Sequence, residues 1–393
     1  MAIISEATTN SAIRPDKGLS IFDPRAAVSN ISDDDWRVFN RLTSVQLSQA
    51  ERDLAARPDR LAPEAHEYLA VHWHPEWAPL GLISLRLERA FPKAADHLTI
   101  PTQHNRIMSL GPWAGVEADV YDRSYGLKVQ LLIHFQSNQL HRAGVLTDMM
   151  NRTYNYRAHQ LMDILNALAK PDSVNYPGLK ASICDESLLM ARFYALRLKS
   201  MIEESGIMGS DRDEMLKNRL LPDFILGRAC NVHQPLVDQA IIYINAVKKE
   251  VKKRLSPEAF YSPQEVIEEA RGLKAGIVIP HPPQFWPILL ADLDVDGWEI
   301  WNPSTPDHAL FLLEALNRVN ESRSKGRSEL LAFMGDDTHM SAKFRHNRSD
   351  AKGSAQREIG FQDLWNEPEI KAALDHGGQS LHRTISEYRR RMS

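Results

Sequence analysis

Seven metal-capable side chains stand at the ends of short apolar segments: His72, His74, His104, Glu117, His134, His281 and His339, with Asp337 two residues before the last. The segments read EYLAVHWH, HLTIPTQHN, GVEADVY, VQLLIHF, GIVIPHP and LLAFMGDDTH. Short apolar runs alternating with helical stretches predict strands of an α/β domain. Residues at the C-terminal ends of parallel barrel strands converge on one mouth. The placement therefore predicts six imidazoles and two carboxylates in one pocket, the ligand chemistry of a multinuclear metal centre.

The local spacing supports this. His72 and His74 flank Trp73, and residues two apart on a strand face the same side, so both rings can reach one ion before Pro75 ends the strand. Asp337 and His339 repeat that spacing after Gly335. Neutral imidazoles with carboxylates suit zinc, iron or manganese better than calcium or magnesium, which prefer oxygen shells.

Four helical stretches delay the return to strands over about 140–270, among them TDMMNRTYNYRAHQLMDILNALA and PLVDQAIIYINAVKKEVKKRL. They read either as a lid over the mouth or as a structural layer. Ser262 and Glu265 fit a capping box. Ser32 and the acids 33–35 start a helix that the pattern continues to Pro58. Residues 1 to about 30 are polar and are expected to lie loosely along the surface. The organisation expected is an N-terminal, partly helical extension over 1–65, a barrel over 66–345 interrupted by the helical insertion, and a C-terminal helical extension over 346–393.

The length of 393 residues suits one large domain with insertions, or two domains. A net charge of −4 argues against a broad polyanion-binding surface, so nucleic acid is disfavoured as a partner. Cys184 and Cys230 are the only cysteines and form no CxxC pair, which fits a reducing compartment and points away from a thiolate zinc site. No apolar stretch approaches the roughly 20 residues that span a bilayer. The expectation is a cytoplasmic protein without a membrane partner; the oligomeric state stays open.

The order HxH (72–74), DHLTIPTQHN, GVEADVY, QLLIHF, IVIPHPP and MGDDTHM resembles the polymerase and histidinol phosphatase (PHP) family over about 67–139 and 272–341. The resemblance implies a distorted (β/α)7 TIM-like barrel and a phosphoesterase whose nucleophile is a metal-bridging hydroxide. It implies that His72, His74, Glu117 and Asp337 hold one metal, His104 and His339 a second, and Glu117, His134 and His281 a third. Two departures stand out. Gln103 replaces the family's usual Asp, and PEWAPLGLI lacks the further His that many members carry, leaving Glu76 or water in its place. A centre of two or three divalent ions (Zn, Mn or Fe) follows.

The expected substrate is a small organic phosphate or nucleotide, and therefore anionic. Arg106 is the first candidate cation for its phosphate and is grouped with Glu117 and Asp337 as catalytic. Arg142 and His308 are further candidates at the mouth. Three alternatives keep the metal site: an amide or ester hydrolase, a nuclease, and a non-enzymatic scaffold stabilised by metal.

Overall fold

The computed structural model describes residues 22–170, 183–210, 212–254, 256–323, 327–344 and 356–393. The segment 1–21 and most of the basic stretch KFRHNRSDAKGSAQR lie outside the described residues. The chain is mixed α/β and divides into two compact units. One unit draws on residues up to Leu42, Met162–Ser210 and Asn218–Lys253; the other comprises Thr43–Leu161, Asp211–Lys217 and Arg254–Ser393.

The first unit is helical. Ser32 starts the helix Asp33–Thr43: its hydroxyl accepts from the Asp35 amide at 3.3 Å, and Asp35 accepts from the Ser32 amide at 2.8 Å. This unit also holds the helices Ala26–Ser29, Asp185–Ser205, Leu220–Arg228 and Gln234–Lys253 and the end of Gly144–Ala169, with Phe193 packed on Phe22 and Tyr194 on Phe224. Asp35 is fully buried and is held by Arg197 at 2.9 Å and Arg228 at 2.7 Å.

The single helix expected from Ser32 to Pro58 is two, Asp33–Thr43 and Gln49–Ala56. Ser48 and Glu51 close a capping box that begins the second, a start signal that outweighs the continuing apolar period.

Among the described residues, the second unit carries ten strands in three ladders. β1 (Glu67–Ala70) pairs in parallel with β3 (Asp96–Thr99), and β2 (Trp73–His74) pairs in parallel with β10 (Thr338–His339). The largest sheet orders β4 (Met108–Leu110), β5 (Trp113–Asp122), β6 (Leu127–Gln136), β7 (Gly276–Ile279), β8 (Gly297–Trp301) and β9 (Leu331–Met334). The parallel barrel strands expected from the apolar segments are only partly present. β4 to β7 pair antiparallel, and only β7, β8 and β9 run parallel within this sheet.

The cause lies in the connection between β5 and β6. Only residues 123–126 separate the strands, too few for a parallel crossover. The Asp122 carboxylate accepts from the Ser124 and Tyr125 amides at 2.8 and 3.1 Å, and Gly126 takes φ +65°.

The three ladders do not merge into one continuous sheet. Backbone hydrogen bonds nevertheless link their ends: Asp337 N to His72 O at 2.9 Å, Thr102 N to Trp73 O at 3.0 Å, and Glu117 N to Gln103 O at 3.1 Å. The strands' apolar residues, including Val116, Ala118, Leu131, Ile133, Ile277 and Phe333, join the helices Pro263–Gly272, Ala309–Ser322 and Leu381–Arg391 in one buried core. Among the described residues, no helix is long and apolar enough to cross a membrane.

Candidate metal centre

Strand ends and tight turns bring the ligand-type residues together. The β2–β10 register sets His339 opposite His74, with ring centroids 4.3 Å apart, and the His104 ring stacks on His74 at 4.4 Å. A parallel bridge aligns His104 with Glu117 of β5. Asn105, at φ +52°, exchanges hydrogen bonds with Asp119 (2.6 and 2.9 Å), which fixes the turn that presents His104. His281 lies past the end of β7 at φ +29°, and Asp337 past β9 at φ +49°. Of six non-glycine residues with positive φ among the described residues, four (Glu76, Asn105, His281 and Asp337) are here. Such conformations cost about 1–3 kcal/mol each and persist where surrounding contacts enforce them.

Glu117 is the hub. Its Oε1 lies 3.8 Å from His72 Nε2 and 3.6 Å from His281 Nε2, while its Oε2 lies 3.7 Å from His74 Nε2 and against His104 Nδ1. Asp337 Oδ1 is 3.6 Å from His72 Nε2, 3.2 Å from His74 Nε2 and 3.6 Å from His339 Nε2. Of four groups among the described residues whose ligand atoms lie mutually within 4.8 Å, three are here: His72–His74–Asp337, His72–Glu117–His281 and His74–His104–His339; the fourth, Glu67–Asp96–His382, is more exposed.

Burial and neighbouring charge separate the protonation states. Burial pushes the His74 imidazole down to about 3, assisted by His339 and His104. Burial also acts against the charged form of His72, but Glu299, Asp337 and Glu117 outweigh it and raise its pKa to about 10. His339 is raised to about 9, since Asp337 and Glu76 overcome its desolvation. Burial opposes ionisation of Glu117 and Asp337, yet the surrounding histidines hold both carboxylates well below their usual range.

The donor set fits metal ions. Seven buried atoms here have no hydrogen-bond partner: His72 Nε2, His74 Nδ1 and Nε2, His104 Nδ1, both Glu117 oxygens and His281 Nδ1. Leaving a polar atom buried and unsatisfied costs about 1–3 kcal/mol. A cation among these atoms would offset that cost.

His134 does not join the centre, correcting the expectation. Its Nδ1 meets the Tyr388 hydroxyl at 2.8 Å and its Nε2 the Val71 carbonyl at 2.9 Å. On the ladder it is level with Gly115 of β5 and with Gly276, the first residue of β7. β6 runs antiparallel to β5 and β7, so its C-terminal end points away from the mouth.

Arg142 follows the same strand end and is corrected likewise. It donates to Gly272 O at 3.3 Å, ahead of β7 rather than beyond it. His308 is exposed, belongs to none of the three groups and packs on Trp286, with ring centroids 5.5 Å apart. Arg106 pairs with Asp213 at 2.6 Å and lies over the Tyr154 ring at 4.1 Å, so its charge is largely met.

Sequence reasoning missed Glu299, Arg357 and Lys217. Glu299 Oε1 lies 2.6 Å from His72 Nδ1. Arg357 donates to Asp337 Oδ2 at 2.8 Å and to its carbonyl at 2.9 Å. Lys217 donates to Glu76 at 2.6 Å, and Glu76 lies 3.6 Å from His339. A buried acid in the strand GWEIW was a readable signal for Glu299. Nothing local marked Arg357 or Lys217, whose placement depends on distant backbone.

No protein-family model matches the chain. No curated protein matches it. Among solved structures, a Bifidobacterium adolescentis protein named a "putative metal-dependent phosphoesterase" aligns at 15% identity and a TM-score of 0.38, covering 79% of this chain and 98% of that one. A likeness so shallow carries neither fold nor function. The class defined on the chain's own residues is a mixed α/β protein with a buried His/Asp/Glu cluster able to hold metal.

Proposed function

We propose that the chain is a metal-dependent hydrolase of the PHP type, acting on a small anionic phosphoester, and that its linked ladders form an open, distorted (β/α)7-like barrel. The observation that carries the proposal is the set of unpartnered buried lone pairs around Glu117. His72, His74 and Asp337 would hold one divalent ion (Zn, Mn or Fe) and Glu117 with His281 another, the one Nε2 lone pair of His72 serving a single ion, with His74, His104 and His339 as a third group. Bound divalent ions supply Lewis acidity, lowering the pKa of water and neutralising phosphoryl oxygen.

The chain's own residues prepare the rest. Burial around His72, His74 and Glu117 excludes bulk water and strengthens electrostatics at the reacting bond. Arg357 is the cation best disposed towards phosphate. One of its nitrogens serves Asp337, while Nε and Nη2 make no hydrogen bond among the described residues. A guanidinium fork suits two phosphate oxygens. Its backbone is held because the adjacent Glu358 is clasped by Arg86 at 2.5 and 2.6 Å. Lys217 adds a second positive charge beside Glu76. Arg106, met by Asp213, contributes less than either.

The test is turnover of bis(p-nitrophenyl) phosphate and p-nitrophenyl phosphate beside p-nitrophenyl acetate and an anilide. Chelation should abolish phosphoester turnover and Zn(II) or Mn(II) should restore it. His74→Ala should lose at least about a hundredfold in kcat/KM, or ~2.7 kcal/mol, with an unchanged circular dichroism spectrum. Arg357→Ala should raise KM for the phosphoesters about tenfold. Turnover confined to the acetate or anilide, and indifferent to Arg357, would replace phosphoester by amide or ester chemistry.

A further inference from the structure

Glu299 sits behind the ligands in β8 and faces two of them at once. Its Oε1 is 2.6 Å from His72 Nδ1. Its Oε2 accepts from the His281 backbone amide at 2.8 Å and from Asn302 Nδ2 at 3.2 Å. Glu299 is 1% exposed, so these partners replace its hydration. The fold makes room for it: a Cβ on Gly335 would lie 2.0 Å from Glu299 Oε1, so only glycine tolerates that approach.

Resting on the metal-site reading above, we propose that Glu299 is a positioning residue for two ligands of the centre, His72 and His281. An ionised carboxylate only accepts hydrogen bonds. Once an ion has displaced the proton from His72 Nε2, this acceptor would keep the ring's remaining hydrogen on Nδ1 and leave the Nε2 lone pair, which faces Glu117 and Asp337, to the ion. The same carboxylate grips the His281 amide and so stabilises the φ +29° turn that aims that imidazole at Glu117. One acid thus presets a side chain in one arm of the cluster and a backbone in the other. Among the described residues, the His74–His104–His339 group makes no hydrogen bond or ion pair with it and should be indifferent.

Chemistry makes Glu299→Gln diagnostic without a large change of shape. All three partners present donors to two acceptor oxygens. A Gln amide has one acceptor, so either His72 or His281 must face an N–H, or His72 must move its hydrogen to Nε2 and lose its ligand lone pair. Outer partners of this kind are typically worth about 10–100-fold in metal affinity.

The experiment titrates full-length wild type, Glu299→Gln and Glu299→Asp with Zn(II) against a chromogenic chelator, and with Co(II) monitored by visible absorption. Expected are wild-type uptake, a roughly 10–100-fold weaker Kd for ions held through His72 and His281 in Glu299→Gln, and an altered Co(II) spectrum. The His74–His104–His339 contribution should persist, and the unfolding curve recorded in chelator should stay close to wild type. Glu299→Asp should fall between, because it keeps both acceptors but shortens the reach. Wild-type binding with an unchanged Kd and spectrum in Glu299→Gln overturns this inference alone. A wild-type chain that takes up no Zn(II) overturns the metal-site reading and this inference with it.

Discussion

Both ring nitrogens of His134 are taken by protein groups, whereas the Nε2 atoms of His72 and His74 have none. Burial holds His134 neutral, its pKa pushed down to about 3. Its Nε2 can then donate to Val71 while Nδ1 accepts from Tyr388, a satisfied core arrangement. His134→Ala should therefore cost about 2–4 kcal/mol, through the cavity and the stranded Tyr388 hydroxyl and Val71 carbonyl. Its metal content should equal that of wild type. Urea unfolding and metal analysis of the same preparation check this, and metal loss without destabilisation would return His134 to the ligand set. The sequence distinguished the residue type but not the partner, since Tyr388 lies 254 positions away.

Strand direction decided which apolar segment ends reach the centre. VQLLIHF and GIVIPHP look alike as text, but the four-residue link RSYG makes β6 return along β5, while β7 runs parallel to β8. That constraint was present in the sequence, since so short a link joins only antiparallel strands. Applied consistently, it would have removed His134 and Arg142 from the mouth. The capping box at Ser48 was equally visible, and it divides what apolar periodicity alone read as one helix. Pairing of β2 with β10 was not readable, because strands of two residues carry no period. The residues they bear were nevertheless identified from HWH and DDTH. Gly335→Ala tests the packing between elements: its Cβ would collide with Glu299, so metal affinity should fall as in Glu299→Gln. Affinity unchanged in a folded Gly335→Ala would contradict the close approach.

At the scale of the molecule, the two units rest on different chemistry, and the helical one has its own buried ion cluster. Burial acts to raise the Asp35 pKa, but hydrogen bonds from Ser32 and the charges of Arg197 and Arg228 outweigh it and leave it below 3.8. A depressed folded pKa stabilises above the unfolded value and loses that contribution as pH falls through the folded one. Asp35→Asn should therefore cost about 3 kcal/mol near neutral pH, where it strands two arginines. The difference from wild type should shrink below about pH 4. Denaturant unfolding across pH reads this directly, and a gap that stays constant down to pH 2 would contradict it.

The central claim is that His72, His74, Glu117, His281 and Asp337 grip metal together. Crystals of the full chain grown with Zn(II) or Mn(II), measured at wavelengths on either side of the metal absorption edge, test it most directly. At least two anomalous peaks are expected, one beside His74 and Asp337 and one beside Glu117 and His281, with His72 bound to one of them and His134 to neither. Fully occupied crystals with no peak in that pocket, or with peaks only at surface residues, would contradict it.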